Sequence, residues 1–196
     1  MGYEVHGVVR RVAAEIKEQR LGRINHLATQ IRIHPGSIED YGSVVKIIDE
    51  VQPDECYHLA AQSFVAESFD DHFSAFNINI GGTLNVLEAI RNRCPKCKLY
   101  FASSSEMFGL ARETPQNENT VFHPRSPYGV TKVAGFSLVR NYRESHHLFC
   151  CSGILFNHES PRRGLEFVTR KISFGVARIF TGVQEKLVLG DLTPRR

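Results

Sequence analysis

The chain has 196 residues, of which 42% are hydrophobic and 23% charged, and a formal net charge of +3. These values fit one ordinary globular domain, and the 24 basic residues are scattered rather than gathered into a stripe, which argues against a nucleic-acid partner. No apolar run approaches the roughly 20 residues of a membrane-spanning helix, and residues 1–6 lack the apolar stretch of a signal peptide, so the cytosol is the expected compartment and no membrane is expected.

Short apolar runs alternate with longer helical patterns. Residues 3–9 read as a strand and 32–34 as a short one, followed by a loop through Pro35 and Gly36. Residues 41–51 place Val44, Val45, Ile47, Ile48 and Val51 at helical spacing, and Pro53 ends that helix. Residues 55–60 form the next strand. A long helix is predicted over 73–93, with Ile78, Ile80, Leu84, Leu87 and Ile90 as its stripe. A strand over 98–102 is followed by a polar loop from Ser103 to about Arg125, a helix to about His146, a strand over 149–156, a helix over 165–181 and the start of a last strand over 186–189. Strand and helix in repeated alternation predict an α/β fold with a doubly wound, Rossmann-like parallel sheet. The strands are apolar throughout, as expected where helices cover both faces.

Ligands in such sheets sit beyond the carboxyl ends of the strands, and polar groups collect at those positions here. Arg10 and Arg11 follow Val9. Ala60, Ala61, Gln62 and Ser63 follow Leu59, and Ser103, Ser104, Ser105 and Glu106 follow Ala102. Asn157, His158, Glu159, Ser160, Pro161, Arg162 and Arg163 follow Phe156. At the start of the next-to-last helix, Tyr128 precedes Lys132 by four residues, which puts both on one helix face. A nearby ammonium stabilises a phenolate and lowers a tyrosine pKa, and a tyrosine tuned in this way can take a proton from a sugar hydroxyl. Of the five cysteines, Cys94 and Cys97 have C-x-x-C spacing but no second ligand pair, so no metal is expected. Cys150 and Cys151 fall in a strand pattern, and Cys56 in another.

The Tyr128–Lys132 pair and the strand-end clusters resemble the extended short-chain dehydrogenase/reductase family and, within it, the dehydratases that act on GDP-mannose. The segments that carry the resemblance are Gly2-Tyr3-Glu4-Val5-His6-Gly7 with Arg10-Arg11, Val51-Gln52-Pro53-Asp54-Glu55, Pro124-Arg125-Ser126-Pro127-Tyr128 and Asn141-Tyr142-Arg143-Glu144-Ser145. The most specific are Gly153-Ile154-Leu155-Phe156-Asn157-His158-Glu159-Ser160-Pro161-Arg162-Arg163-Gly164 and Phe167-Val168-Thr169-Arg170-Lys171-Ile172. The resemblance implies a lyase that uses NADP to oxidise the sugar at C4, eliminate water across C5 and C6, and return hydride to C6. It implies that Tyr128 deprotonates the C4 hydroxyl, Lys132 stabilises the phenolate and holds the nicotinamide ribose, Glu106 removes the C5 proton, and Ser104 bonds the C4 oxygen, where threonine is usual. Arg10 and Arg11 would bind the 2′-phosphate bidentately. Ser37, Ile38, Leu59, Ala60, Ala61, Gln62, Ser63, His158 and Arg163 would line the cofactor, and Asn157, Val168 and Lys171 would approach GDP-mannose. A homo-oligomer is implied as well.

Ser37 stands where the family has an aspartate beside the adenine, and Ser74 where it has a tyrosine. The family also opens with a strand and a glycine-rich turn, whereas this sequence opens at the family's second strand and stops within the GDP-sugar-binding part, which starts at about residue 157. The expected sheet is therefore incomplete, with the strands at 3–9 and 55–60 lacking the partner that lies between them. The expectation is a chain that folds poorly alone and is inactive alone, although it encodes a dehydratase site. A reductase or epimerase on the same scaffold, which would not need Glu106, and a non-catalytic remnant that binds a full-length subunit are the alternatives.

Overall fold

A computed structural model describes residues 2–10 and 22–190. Five strands are described: β1 (Val5–Val9), β2 (Ile31–Pro35), β3 (Glu55–His58), β4 (Lys98–Ser104) and β5 (Cys150–Leu155). All pairings are parallel, as the alternation of strand and helix requires. They form two sheets, β1–β2 and β3–β4–β5, so β1 and β3 do not pair with each other. The chain divides into two compact units, residues 1–156 and residues 157–196, and all five strands lie in the first.

The helices form where the periodicity predicts them, and their ends have chemical causes. Helix α1 (Tyr41–Val51) is capped by Asp40, whose carboxylate accepts the Gly42 amide. It stops at Gln52 in the left-handed region, just before Pro53. A short α2 (Glu67–Asp70), absent from the sequence reading, precedes α3 (His72–Phe76), which starts on Asp71 bonded to the Ser74 amide. The predicted 73–93 helix is continuous, but a π-helical turn at Asn77–Gly81 separates α3 from α4 (Gly82–Arg93). Helix α5 (Pro127–His146) has Ser126 as its N-cap and Pro127 in its first turn, and it ends at His147 in the left-handed region.

The core gathers one face of the central sheet under α1, α4 and α5. Val44, Ile48, Val86, Leu87, Ala89, Ile90, Leu99, Phe101, Val139, Tyr142 and Cys150 form one buried cluster. Phe101 approaches α5 so closely that a Cβ on Gly135 would lie 2.5 Å from its ring tip, which explains a glycine in mid-helix despite its cost there. The opposite face is open. The register aligns Tyr57, Tyr100 and Cys151 across β3, β4 and β5, and Tyr57 is 63% exposed. Helices on both faces, as the apolar strands suggested, are therefore not found among the described residues of this unit.

The second unit holds α6 (Val168–Phe180), where Gly175 lies against Leu187. The strand expected at 186–189 does not form. No strand is described in this unit, and a lone extended segment has no ladder to join.

Candidate active site

The predicted catalytic residues converge at the start of α5 and the end of β4. Ser126 Oγ accepts the Gly129 amide at 3.0 Å and fixes the first turn. The turn then sits against the loop after β4, because a Cβ on Gly129 would lie 2.7 Å from the Glu106 carbonyl oxygen. Only glycine allows that approach, and through it the backbone of Glu106 is packed against the turn that carries Tyr128. The Tyr128 amide donates to Ser68 Oγ at 3.3 Å, and its carbonyl accepts the Thr131 hydroxyl at 2.7 Å.

Lys132 is buried and donates from Nζ to the Ala102 carbonyl at 2.8 Å, the last backbone oxygen before the serine run. Its ammonium lies 5.0 Å from the Phe101 ring centroid and 5.6 Å from that of Tyr128. Burial pulls its pKa down to about 8. Ser104 ends β4 instead of beginning a loop, and its Oγ accepts the Glu106 amide at 3.2 Å. Accepting that bond leaves the Ser104 hydroxyl proton free to be donated.

At the end of β3, Leu59, Ala60 and Ser63 are exposed, Ala61 is half-buried, and Gln62 is held on both backbone sides. Its amide donates to Asn79 Oδ1 at 2.8 Å and its carbonyl accepts from Asn79 Nδ2 at 3.1 Å. Asn79 Nδ2 also donates to Thr131 Oγ1 at 2.9 Å. The π-turn thus ties the β3 end to the helix of Tyr128 and Lys132. Asn79 and Thr131 were missed from sequence. The available signal was a polar residue between Ile78 and Ile80 in an otherwise apolar stripe. His58 was missed too. It is buried, bonds Thr83 at 3.0 Å, and is pushed down to about 4 by burial and then by the nearby Lys132 ammonium.

The remaining candidates divide by place. Arg10 is exposed at the end of β1, and Arg11 lies outside the described residues. The Ser37 amide donates to Ser43 Oγ at 3.2 Å, and the Ile38 carbonyl accepts Asn85 Nδ2 at 2.8 Å. Ser74 is bonded through its own amide at the cap of α3. Asn157, His158, Arg163, Val168 and Lys171 belong to the second unit. There the Arg163 guanidinium stacks 3.5 Å from the Phe167 ring centroid and lies 3.6 Å from Glu159, while Val168 opens α6. Cys94, Cys97 and Cys150 are buried packing groups, Cys56 is half-buried and Cys151 is exposed. Burial pushes the Cys56 thiol up to about 11 and Cys97 to about 12, which keeps both protonated.

A sequence model described as GDP-mannose 4,6 dehydratase matches residues 1–196. The chain belongs to the GDP-mannose 4,6-dehydratase family. It is 46% identical over 201 residues to the Vibrio cholerae GDP-mannose 4,6-dehydratase and 45% identical over 205 residues to the human enzyme, each match taking in all of this chain and 54% of the relative. The chain therefore spans about half the length of these curated dehydratases. Among solved structures, RMD from Pseudomonas aeruginosa complexed with NADPH superposes with a TM-score of 0.74 at 27% identity, over 91% of this chain and 64% of that one. The fold is shared with dTDP-glucose 4,6-dehydratase from Streptomyces venezuelae, at a TM-score of 0.76 and 21% identity over 91% of this chain and 53% of that one.

Proposed function

We propose that this chain carries the reacting-centre residues of a GDP-mannose 4,6-dehydratase, converting GDP-mannose to GDP-4-keto-6-deoxy-mannose with loss of water. The observation that carries the reading is the union of the α5 start with the β4 end. Lys132 is anchored on Ala102 beside the Tyr128 ring, and the Gly129–Glu106 contact brings Glu106 and Ser104 to the same turn. Family membership supports the reaction.

NADP fits the strand ends present. Ser103 Oγ and Gln62 Oε1 are buried side-chain atoms without a hydrogen-bond partner at the ends of β4 and β3, where a polar ligand would satisfy them. Arg10, with Arg11, suits a 2′-phosphate, and Ser37, Ile38 and residues 59–63 would line the cofactor. When bound, NADP supplies the hydride acceptor at C4 and the hydride donor at C6. Tyr128, held as a phenolate by the nearby Lys132 ammonium, takes the proton of the C4 hydroxyl on Oη and becomes the neutral phenol, and Lys132 would also reach the ribose. The Ser104 hydroxyl donates to the C4 oxygen. Once C4 is a ketone the C5 proton is acidic, and Glu106 removes it and assists departure of water from C6. Asn157, Val168 and Lys171 would hold the GDP-sugar, with Lys171 near the diphosphate and His158 and Arg163 beside the cofactor. We place the enzyme in the cytoplasm, as a homo-oligomer in its active form.

A chimera tests this. Residues 1–196 replace the corresponding segment of the Vibrio cholerae relative, and GDP-mannose consumption is followed. The chimera should turn over. In the chimera, Tyr128→Phe should lower kcat by about a hundredfold or more. Glu106→Gln should oxidise C4 without losing water. A chimera indifferent to both substitutions would refute the assignment.

A further inference from the structure

A second cluster of titratable groups lies away from these residues, between the two outer strands. His6 on β1 and His34 on β2 meet through Nδ1 of the first and Nε2 of the second at 2.8 Å, with ring planes 19° apart. Their side chains are only 18% and 12% exposed. The outer nitrogens face carboxylates. His6 Nε2 is 3.3 Å from Glu4 Oε1, which also pairs with Arg32 Nε at 3.2 Å. His34 Nδ1 is 3.7 Å from Glu50 Oε1 on α1, and Lys46 is exposed one turn earlier on that helix.

Proton counting decides what such an array can do. A neutral imidazole has one donor and one acceptor nitrogen. If His34 donates to His6, its own Nδ1 is bare and faces the Glu50 carboxylate. If His6 donates to His34, its Nε2 is bare and faces the Glu4 carboxylate. Two neutral rings therefore leave one lone pair against an anion in either arrangement. One added proton removes the conflict, because three N–H groups then serve the two outer contacts and the bridge. A second added proton puts two N–H groups head to head across 2.8 Å, and the bridge must open.

We propose that His6 and His34 form a proton-keyed clasp joining β1, β2 and α1, closed by three ring protons and opened by a fourth. Its place gives it something to control. Two residues beyond His34, the Gly36 amide donates to the Val9 carbonyl at 3.0 Å, closing the end of the β1–β2 pair ahead of Ser37 and Ile38. Opening the clasp loosens that end. The inference involves no cofactor or sugar and stands apart from the function proposed above.

Ring-nitrogen NMR of the full chain labelled at histidine tests the clasp, with His6→Gln and His34→Gln assigning the signals. At the pH of greatest amide protection, three of the four ring nitrogens should carry protons, and removal of either ring should move the proton uptake of the other. On acidification the fourth proton should appear together with a roughly tenfold loss of amide protection at Gly7, Val8 and Ile33, the size expected when one buried hydrogen bond is lost. Two rings that titrate independently, or protection that ignores the fourth proton, would overturn the proposal. Both readings come from the unsubstituted chain, so a variant that fails to fold does not remove the test.

Discussion

The β1–β2 pair and the β3–β4–β5 sheet are built from the same parallel ladder but are held by opposite means. The larger sheet rests one face on a cluster that includes fully buried Leu87, Ile90 and Phe101. The smaller pair contributes nothing to that cluster, exposes about half of Val5 and Val8, and is joined by His6, His34 and their carboxylates. The sites proposed for proton transfer stand on the apolar, close-packed sheet. The arginine proposed for the 2′-phosphate stands at the end of the exposed pair. Chemistry that needs tenths of an ångström is placed where packing fixes position, and a charge contact that tolerates movement is placed where it does not.

Substitutions on the two sheets should therefore differ widely in cost. The largest effect is expected for Phe101→Ala, which empties the centre of the cluster beside Gly135 and should cost about 3–5 kcal/mol in urea unfolding. Loss of cooperative unfolding altogether would carry the same message, and a cost under about 1 kcal/mol would break the comparison. Next comes acid. The folded-state pKa of His58 is pushed down from 6.5 to about 4, so its contribution is complete above pH 6.5 and is lost as the pH falls toward 4. Unfolding measured between pH 7 and 4 should show that loss in the parent chain and a flatter profile in His58→Gln.

Asn79→Ala should cost about 1–3 kcal/mol, because it leaves the Gln62 amide and carbonyl without their partner. Amide exchange should show the opening at residue 62 while the β4–β5 ladder stays protected. Ser126→Ala, which removes the cap of α5, should cost about 1 kcal/mol in the same unfolding assay. The smallest change is expected on the open face, where Tyr57→Ser should stay within about 0.5 kcal/mol. A larger loss there would mean that the face carrying exposed Tyr57 and Cys151 beside half-buried Tyr100 is covered in solution.

Much of this was legible in the sequence, and the exceptions share a cause. Helix α1 was readable because the apolar spacing and Pro53 are local signals, while its Asp40 cap emerged only with the structure. The four-residue spacing of Tyr128 and Lys132 is a local signal too, whereas the roles proposed for Ser104 and Glu106 came from the family resemblance. The π-turn, Asn79, Thr131 and His58 were not legible, because each takes its meaning from a partner tens of residues away. The strand expected at 186–189 failed on the same ground, since a strand is defined by a neighbour that its own residues do not encode. The open face of the central sheet was illegible too. Apolar strands announce that they can be covered, not that a helix of the same chain covers them.

The π-turn has a geometric consequence of its own. Successive residues of a helix advance by about 100°, so one extra residue in a turn swings everything after it by roughly that angle. Without it, the stripe of α3 would run on unshifted into α4. With it, the direction of the stripe shifts along the rod, and at Asn79 the backbone carbonyl accepts the Thr83 hydroxyl while the side-chain Nδ2 donates to Thr131 Oγ1. A change that restored plain α-helix there would misalign two sets of contacts at once while leaving every residue in place.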